Sequence, residues 1–163
     1  NFMLNLKLET YLKLIFSISL ISIISAYFIE YILGYQPCNL CLLQRIPYGL
    51  SIVLIIINYI FKINQKFLIL LLILLFIFSF SISAYHYGIE QGYFNESAVC
   101  GVKNFGDIIS KEEILEQLSK KVVSCKDVTF RIFGLSLTSI NMFLSLILTI
   151  ILINIFTKYD KIK

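Results

Sequence analysis

The sequence has few charged residues for its length. Only 15% of its 163 residues are Asp, Glu, Lys or Arg, 58% are hydrophobic, and the mean hydropathy is +0.86. A soluble globular domain is about one quarter charged. This composition excludes an ordinary soluble domain and indicates a membrane protein.

Charge is also missing from the middle of four long apolar runs, 11–31, 42–61, 67–87 and 135–156. Each run is long enough for the helix of about 20 residues that crosses a hydrocarbon layer. No small-x-small cleavage site closes the first run, so we interpret it as a span and not as a cleaved signal. We predict an all-α membrane protein with a single domain over 1–163, in which four transmembrane helices form a bundle. The spans repeat no motif, which argues against a transporter built from internal repeats.

The distribution of lysine predicts the orientation of the four spans. The face that holds both termini and the 62–66 turn has seven lysines and only two acids. The opposite face also has seven basic residues, but they lie among eight acids, and all except Arg45 are spread over the long segment 88–134. Because the positive-inside bias acts in short segments beside helix ends, we expect both termini to be cytoplasmic and the 88–134 loop to be periplasmic, at a bacterial inner membrane. The net charge of +4 then reflects topology and gives no indication of nucleic-acid binding.

The long outer loop contains one clear helix signal. Ser110 is a candidate N-cap, and Glu113 completes a capping box. Ile114, Leu115, Leu118 and Val122 follow on one face, so we expect a short amphipathic helix from Ser110 to Lys121. It is either a lid on the bundle or a partner-docking surface, and the lid is the simpler interpretation.

All four cysteines fall on the predicted outer face, at Cys38, Cys41, Cys100 and Cys125. Disulfides form and persist in the oxidising periplasm. Four cysteines permit three connectivities, and local spacing favours Cys38–Cys41 and Cys100–Cys125. A Cys100–Cys125 bond that is only a structural staple is a serious alternative for the loop pair.

The stretch "QPCNLCLLQR" places a C-x-x-C pair at the mouth of the second span. Pro37 suits a helix entry, and Cys41 then lies in the first turn, where free N–H groups stabilise a thiolate. Arg45 lies one turn further on the same face and adds a cation, unless it is only an interfacial anchor. A zinc site made of the four cysteines is an alternative, but Cys100 and Cys125 are too far apart in sequence for the usual second knuckle, and we predict no metal.

A thiolate at the membrane interface can meet an oxidant dissolved in the lipid. A quinone suits this position, because Arg45, Gln44 or His86 can donate a hydrogen bond to its carbonyl oxygens. His86 is the only histidine, and it equally suits an aromatic belt between two tyrosines. Glu90 either orients His86 or is simply solvated. We expect Ser136, Ser139 and Asn141 of the fourth span to form interhelical hydrogen bonds without a chemical role.

These residues together resemble the disulfide bond formation protein B family. The resemblance rests on "CNLCLLQR", "YHYGIE", "FGLSLTSIN" and the two loop cysteines, and it covers nearly the whole chain. One departure is Phe130, which stands where the family usually has Trp, and the chain has no Trp at all.

The resemblance implies a four-helix bundle, a bound ubiquinone or menaquinone and a soluble DsbA-like partner of the thioredoxin fold. It implies that the partner attacks Cys100, that the released Cys125 attacks Cys38, and that the freed Cys41 passes electrons to quinone. This protein would be a protein-disulfide oxidoreductase. The alternatives are a disulfide-stapled structural tetraspan protein and a reductase similar to vitamin K epoxide reductase, whose C-x-x-C, however, lies late in the chain.

Overall fold

The computed structural model describes residues 2–95, 100, 124–126, 130–132 and 134–161. In this part of the chain it has four long helices and one short antiparallel hairpin. The helices are α1 (Phe2–Tyr31), α2 (Asn39–Phe61), α3 (Gln65–Glu90) and α4 (Leu137–Lys161), and the strands are β1 (Arg131–Ile132) and β2 (Leu135–Ser136). Each helix contains a stretch that is long and apolar enough to cross a membrane. The prediction of an all-α bundle with four spans is confirmed.

The helix ends differ from the predicted ends at several places. Helix α2 begins at Asn39 and not at Leu42, because Cys38 caps it and the polar residues before the apolar run are already helical. The fourth helix begins at Leu137, so the predicted start at Leu135 is wrong by two residues. Leu135 and Ser136 pair with β1, and Gly134 supplies the positive φ of +82° in the connecting turn. The helix predicted from Ser110 to Lys121 lies outside the described residues.

Helix α3 holds the bundle together. It packs most extensively against α4, and it also packs against α2, which in turn packs against α1. Its buried side chains Leu68, Ile69, Leu72 and Phe76 meet Leu148 and Leu152 of α4 in the main apolar cluster. This cluster occupies the half of the bundle that is remote from the cysteines.

Local backbone signals fix the opposite end of the bundle. Helix α3 ends in a Schellman motif, in which Tyr93 N–H donates to the Gly88 carbonyl and Gly92 N–H donates to the Ile89 carbonyl. Gly92 has a φ of +79°, as the motif requires. A side chain at position 88 would collide with the Phe94 ring. The motif therefore ends α3 immediately after Glu90 and holds its last turn beside the start of α2.

Candidate active site

The four cysteines meet at the N-terminus of α2. Cys38, Cys100 and Cys125 are buried in one cluster with Leu40 of α2 and Ile89 of α3, and the half-buried Cys41 packs against it. All four are free thiols in this structure. Residues from three separate parts of the chain are thus brought within reach of thiol exchange with one another.

Cys38 lies at the centre of this cluster as the N-cap residue of α2. Its Sγ accepts the backbone N–H of Cys41 at 3.3 Å and lies 2.9 Å from the Cys41 Sγ. The thiols of Cys125 and then Cys41 donate to it and hold the pKa of Cys38 far below its usual value. The open N–H groups of the first helical turn favour the same thiolate. From the sequence, the N–H groups of the first helical turn were predicted to stabilise a thiolate at Cys41. In the structure the Cys41 N–H donates to the sulfur of the N-cap residue Cys38, so a Cys38 thiolate is stabilised as well.

Cys125 connects the C-x-x-C pair with the loop cysteine. Its thiol donates to Cys38, and this contact together with burial raises the pKa of Cys125 well above the usual value for a thiol. It also contacts Cys100, and the backbone N–H of Leu40 donates to its sulfur. Local spacing favoured Cys100 as its partner, but the fold places Cys38 in contact as well. The two cysteine pairs are therefore close enough for thiol–disulfide exchange between them.

A cavity of about 360 Å³ opens beside this cluster. Its volume is in the range of small-molecule sites, which are mainly apolar with a few placed polar groups. The lining from α1 and α4 is mainly apolar, while Gln44, Arg45, His86 and Glu90 lie with the cysteines on the other side. The lining residues include Ile21, Ser22, Ser25, Ala26, Ile29, Cys38, Cys41, Cys125, Leu137, Ile140 and Leu144.

His86 is buried between α2, α3 and α4 and is not part of an exposed aromatic belt. Its Nε2 lies 3.6 Å from the Cys38 Sγ, and the Gln44 amide donates to its Nδ1 at 3.0 Å. The Thr138 Oγ1 of α4 lies 3.2 Å from the same Nδ1. The structure thus joins two of the predicted quinone-binding residues to the cysteine cluster.

Arg45 lines the cavity but is already neutralised. Its Nη1 forms a salt bridge of 2.5 Å with Glu30 Oε2 of α1, and both side chains are largely buried. The guanidinium also lies over the Tyr27 ring, 5.0 Å from its centroid. From the sequence, Arg45 was predicted to be a cation for Cys41 and a hydrogen-bond donor to quinone, or else an interfacial anchor, and Glu30 was not identified as its partner.

Several site residues were missed or assigned another role. Asn141 bridges helices as predicted, but it does so at the site: it donates to Gln44 Oε1 at 3.0 Å and to Ser83 Oγ at 2.6 Å. Ser136 and Ser139 were wrongly expected to bond between helices. In the described residues they bond to each other at 3.0 Å, and Ser136 caps the first turn of α4.

Glu90 was expected from the sequence either to orient His86 or to be solvated. Its side chain is only 6% exposed, so the alternative of a solvated carboxylate is wrong. Its Oε1 accepts the Thr138 hydroxyl at 2.6 Å and lies 3.8 Å from the His86 Nε2. The spacing of four residues between His86 and Glu90 was the one sequence signal for this pair.

The same geometry permits two kinds of occupant. A quinone fits the cavity, because a flat apolar ring system can lie against α1 and α4 while its oxygens face the polar wall. A metal ion is the other possibility, since ligand atoms of Cys38, Cys41 and His86 all lie within 4.8 Å of one another. The zinc alternative from the sequence used four cysteines, whereas here His86 joins the C-x-x-C pair.

Comparison with known proteins identifies the family. Residues 9–155 match the family model described as disulfide bond formation protein DsbB. An uncharacterized protein of Rickettsia prowazekii (strain Madrid E) is 30% identical over 138 residues, which cover 83% of this chain and 80% of that protein. The matched range 9–155 spans the C-x-x-C pair, both loop cysteines, His86 and Thr138. This chain, with its four spans and its single cysteine cluster, belongs to the DsbB family of membrane proteins that take part in disulfide formation.

Proposed function

We propose that this protein is a quinone-dependent thiol oxidase that reoxidises a soluble DsbA-like protein of the thioredoxin fold. The observation that carries the proposal is the position of the cysteine cluster at the wall of an apolar cavity. One side of the cluster belongs to the loop that carries Cys100, and the other faces the cavity between the helices. The cluster can therefore react with a soluble dithiol on one side and with a lipid-soluble oxidant on the other.

The proposed relay uses the four sulfurs in a fixed order. A thiolate of the reduced partner attacks Cys100 of a Cys100–Cys125 disulfide, and the Cys125 thiolate leaves. Cys125 then attacks Cys38 of the Cys38–Cys41 disulfide, and the Cys41 thiolate leaves. The partner's second thiol releases Cys100, and Cys100 attacks Cys125, which reforms the Cys100–Cys125 disulfide and leaves Cys38 and Cys41 reduced. Cys125 already donates to the Cys38 sulfur, which supports the second exchange. Because Cys100 is fully buried, docking of the partner must expose it.

A quinone supplies a two-electron, two-proton acceptor when it is bound in the cavity. The residues that would hold it are Arg45, Gln44 and His86. Arg45 and Gln44 are fixed by Glu30 and Asn141, so their donors are preorganised before binding. The acceptor is ubiquinone or menaquinone, and parallel assays with the two decide which is used.

We also propose that the protein lies in the bacterial inner membrane with both termini in the cytoplasm and the cysteine end in the periplasm. The short lysine-rich segments at the terminal face support this orientation. Reporter fusions at the C-terminus test it in intact cells. A periplasmic C-terminus would contradict the relay, because the cysteines would then face the reducing cytoplasm.

The central experiment mixes the purified protein with a reduced thioredoxin-fold partner and a quinone and follows quinone absorbance. We expect turnover in the wild-type protein and a loss of more than 1,000-fold on Cys41→Ser, since no other described group can replace its thiolate. Ser79→Ala is the control, because it changes a buried residue remote from the cysteines. If Cys41→Ser lowers only thermal stability and wild type shows no quinone reduction, the protein is a disulfide-stapled structural protein.

Binding of zinc is a second candidate function, favoured by the close approach of Cys38, Cys41 and His86. Elemental analysis of the reduced protein tests it. One zinc ion per chain that is lost on His86→Ala supports this function. Metal-free reduced protein after incubation with equimolar zinc contradicts it.

A further inference from the structure

Glu90 is a buried carboxylate that the proposed relay does not use. Its side chain is 94% buried, and its Oε2 has no hydrogen-bond partner within the part of the chain that the structure describes. Its other oxygen is held by the Thr138 hydroxyl at 2.6 Å. Burial of a carboxylate with an unsatisfied oxygen is costly, because no described protein donor replaces the hydration lost on burial. Glu90 also lines the cavity beside the cysteines, and its charge acts on the Cys41 thiol.

The neighbours of Glu90 keep one oxygen fixed and leave the other available. Thr138 donates to Oε1, and the His86 Nε2 lies 3.8 Å from that same atom. Because the Gln44 amide donates to Nδ1 of His86, the proton of the neutral imidazole is on Nε2. It therefore points toward the Cys38 sulfur, 3.6 Å away, and toward Glu90.

We propose that Glu90 is the proton-accepting carboxylate of this active site, with its free oxygen taking up a proton that leaves the C-x-x-C thiols. This inference rests on the proposed thiol oxidase function. Oxidation of the Cys38 and Cys41 thiols breaks two S–H bonds and forms one S–S bond. It releases two electrons and two protons, all of which end on the quinone as quinol. One proton passes through Glu90 Oε2, and the other passes directly from sulfur to the acceptor.

The charged and titratable groups around Glu90 are few. Its own helix contributes His86, and α2 contributes Cys41, on which the Glu90 charge acts. Helix α4 contributes only the neutral Thr138. Arg45 lines the same cavity, but its charge is paired with Glu30 of α1. Cys125 completes the group from the loop side. No described cation competes with the thiols for the carboxylate.

The decisive variant is Glu90→Gln, which keeps the shape and the acceptor for Thr138 but cannot take up a proton. We expect quinone-dependent turnover to fall at least tenfold, since a positioned proton acceptor contributes about 10²-fold or more. The pH profile provides a signature of the mechanism. We expect wild-type turnover to fall toward low pH, because an acceptor that already carries a proton cannot take up another, and we expect this acid limb to be absent from Glu90→Gln.

Two further variants separate proton transfer from packing. Glu90→Asp keeps the carboxylate and is expected to recover part of the turnover and the acid limb. Glu9→Gln is the matched control. Glu9 is exposed and paired with Lys13 near the start of α1, at the end of the bundle remote from the cysteines. Thermal melting of each variant in detergent identifies any that fails to fold.

Infrared difference spectroscopy gives a readout that needs no quinone. In the reduced protein we expect the carbonyl band of a protonated carboxyl group, which is absent from the oxidised protein and from reduced Glu90→Gln. The band is expected to persist in Glu9→Gln. If Glu90→Gln retains wild-type turnover, the acid limb and the band, the inference is overturned. If the wild-type protein reduces no quinone, the proposed function fails, and the infrared band alone decides whether Glu90 takes up the proton.

Discussion

The cysteine end and the middle of the bundle are both buried, but they are held by different interactions. In the middle, α3 and α4 pack through Leu, Ile and Phe, and polar contacts are short hydroxyl pairs such as Ser79 with Ser145 at 2.9 Å. At the cysteine end, the polar side chains form a continuous network. Asn141 bonds to Gln44, Gln44 to His86, and Thr138 links His86 to Glu90.

This difference shows that the middle of the bundle serves helix packing, whereas the cysteine end carries the reactive groups. In the middle of the bundle most hydroxyls bond to one another or to a carbonyl of their own helix, which is the usual arrangement between membrane helices, and the Tyr48 hydroxyl links them to Asn141. At the cysteine end a cavity remains, and one carboxylate oxygen of Glu90 stays without a partner in the described residues. An unpartnered carboxylate oxygen beside a cavity indicates a site in which a bound ligand or a proton satisfies that oxygen.

The largest stability effect is expected in the middle. Leu72→Ala removes a fully buried side chain of α3, and we expect a loss of about 3 kcal/mol in the free energy of unfolding. Denaturation in mixed micelles measures it. Leu74→Ala is the control, because Leu74 is 55% exposed on the same helix. Turnover of the folded Leu72→Ala protein is expected to stay near the wild-type value. A large loss of turnover in the folded Leu72→Ala protein would contradict the distinction between the two regions.

The sequence predicted the spans better than it predicted the site. A run of apolar residues is local information, so all four helices were found, although their ends depend on caps such as Cys38 and Ser136. The i, i+4 spacing also placed Arg45 near Cys41. The contact of His86 with Cys38 joins residues 48 positions apart, and that of Arg45 with Glu30 joins two helices. Such contacts depend on how the helices rotate against one another, which residue spacing along one helix does not determine.

The next effect concerns the polar wall of the cavity. Arg45→Lys keeps the charge but loses the planar fork and the stacking on Tyr27. We expect the KM for quinone to rise about tenfold with a smaller change in kcat, because binding geometry is lost and the cysteines remain. Steady-state assays at varied quinone concentration measure it. Arg131→Lys is the matched control, since Arg131 is exposed on β1. An unchanged KM would show that Arg45 serves only as an anchor for α1 and α2.

A similar effect is expected inside the cysteine cluster. Cys125→Ala removes the main donor to the Cys38 sulfur, so the pKa of Cys38 rises toward its usual value. Because a hydrogen bond to a charged group contributes about 1.5 kcal/mol or more, we expect the pH midpoint of Cys38 alkylation to rise by about one unit, which slows alkylation below the wild-type midpoint. Mass spectrometry of alkylated peptides measures the rate at this residue.

The matched control for this prediction is Cys100→Ala. Cys100 contacts Cys125, and the Cys125 thiol still donates to Cys38 in this variant. Alkylation of Cys38 is therefore expected to keep its wild-type pH dependence. Equal slowing in both variants would mean that the loop as a whole, and not the Cys125 thiol, lowers the pKa of Cys38.

The smallest effect is expected for a hydroxyl pair in the middle of the bundle. Ser79→Ala removes the bond between Ser79 and Ser145, but the Ser145 hydroxyl retains Tyr48 as a neighbour at 3.1 Å. Because no polar group is left isolated, we expect a loss of only about 0.6 kcal/mol in stability and no change in turnover. Asn141→Leu tests the other region in the same helix interface, since it removes the bonds to Gln44, Ser83 and the Tyr48 hydroxyl. If both substitutions lowered turnover equally, the hydroxyl pairs and the network beside the cavity would form one functional unit.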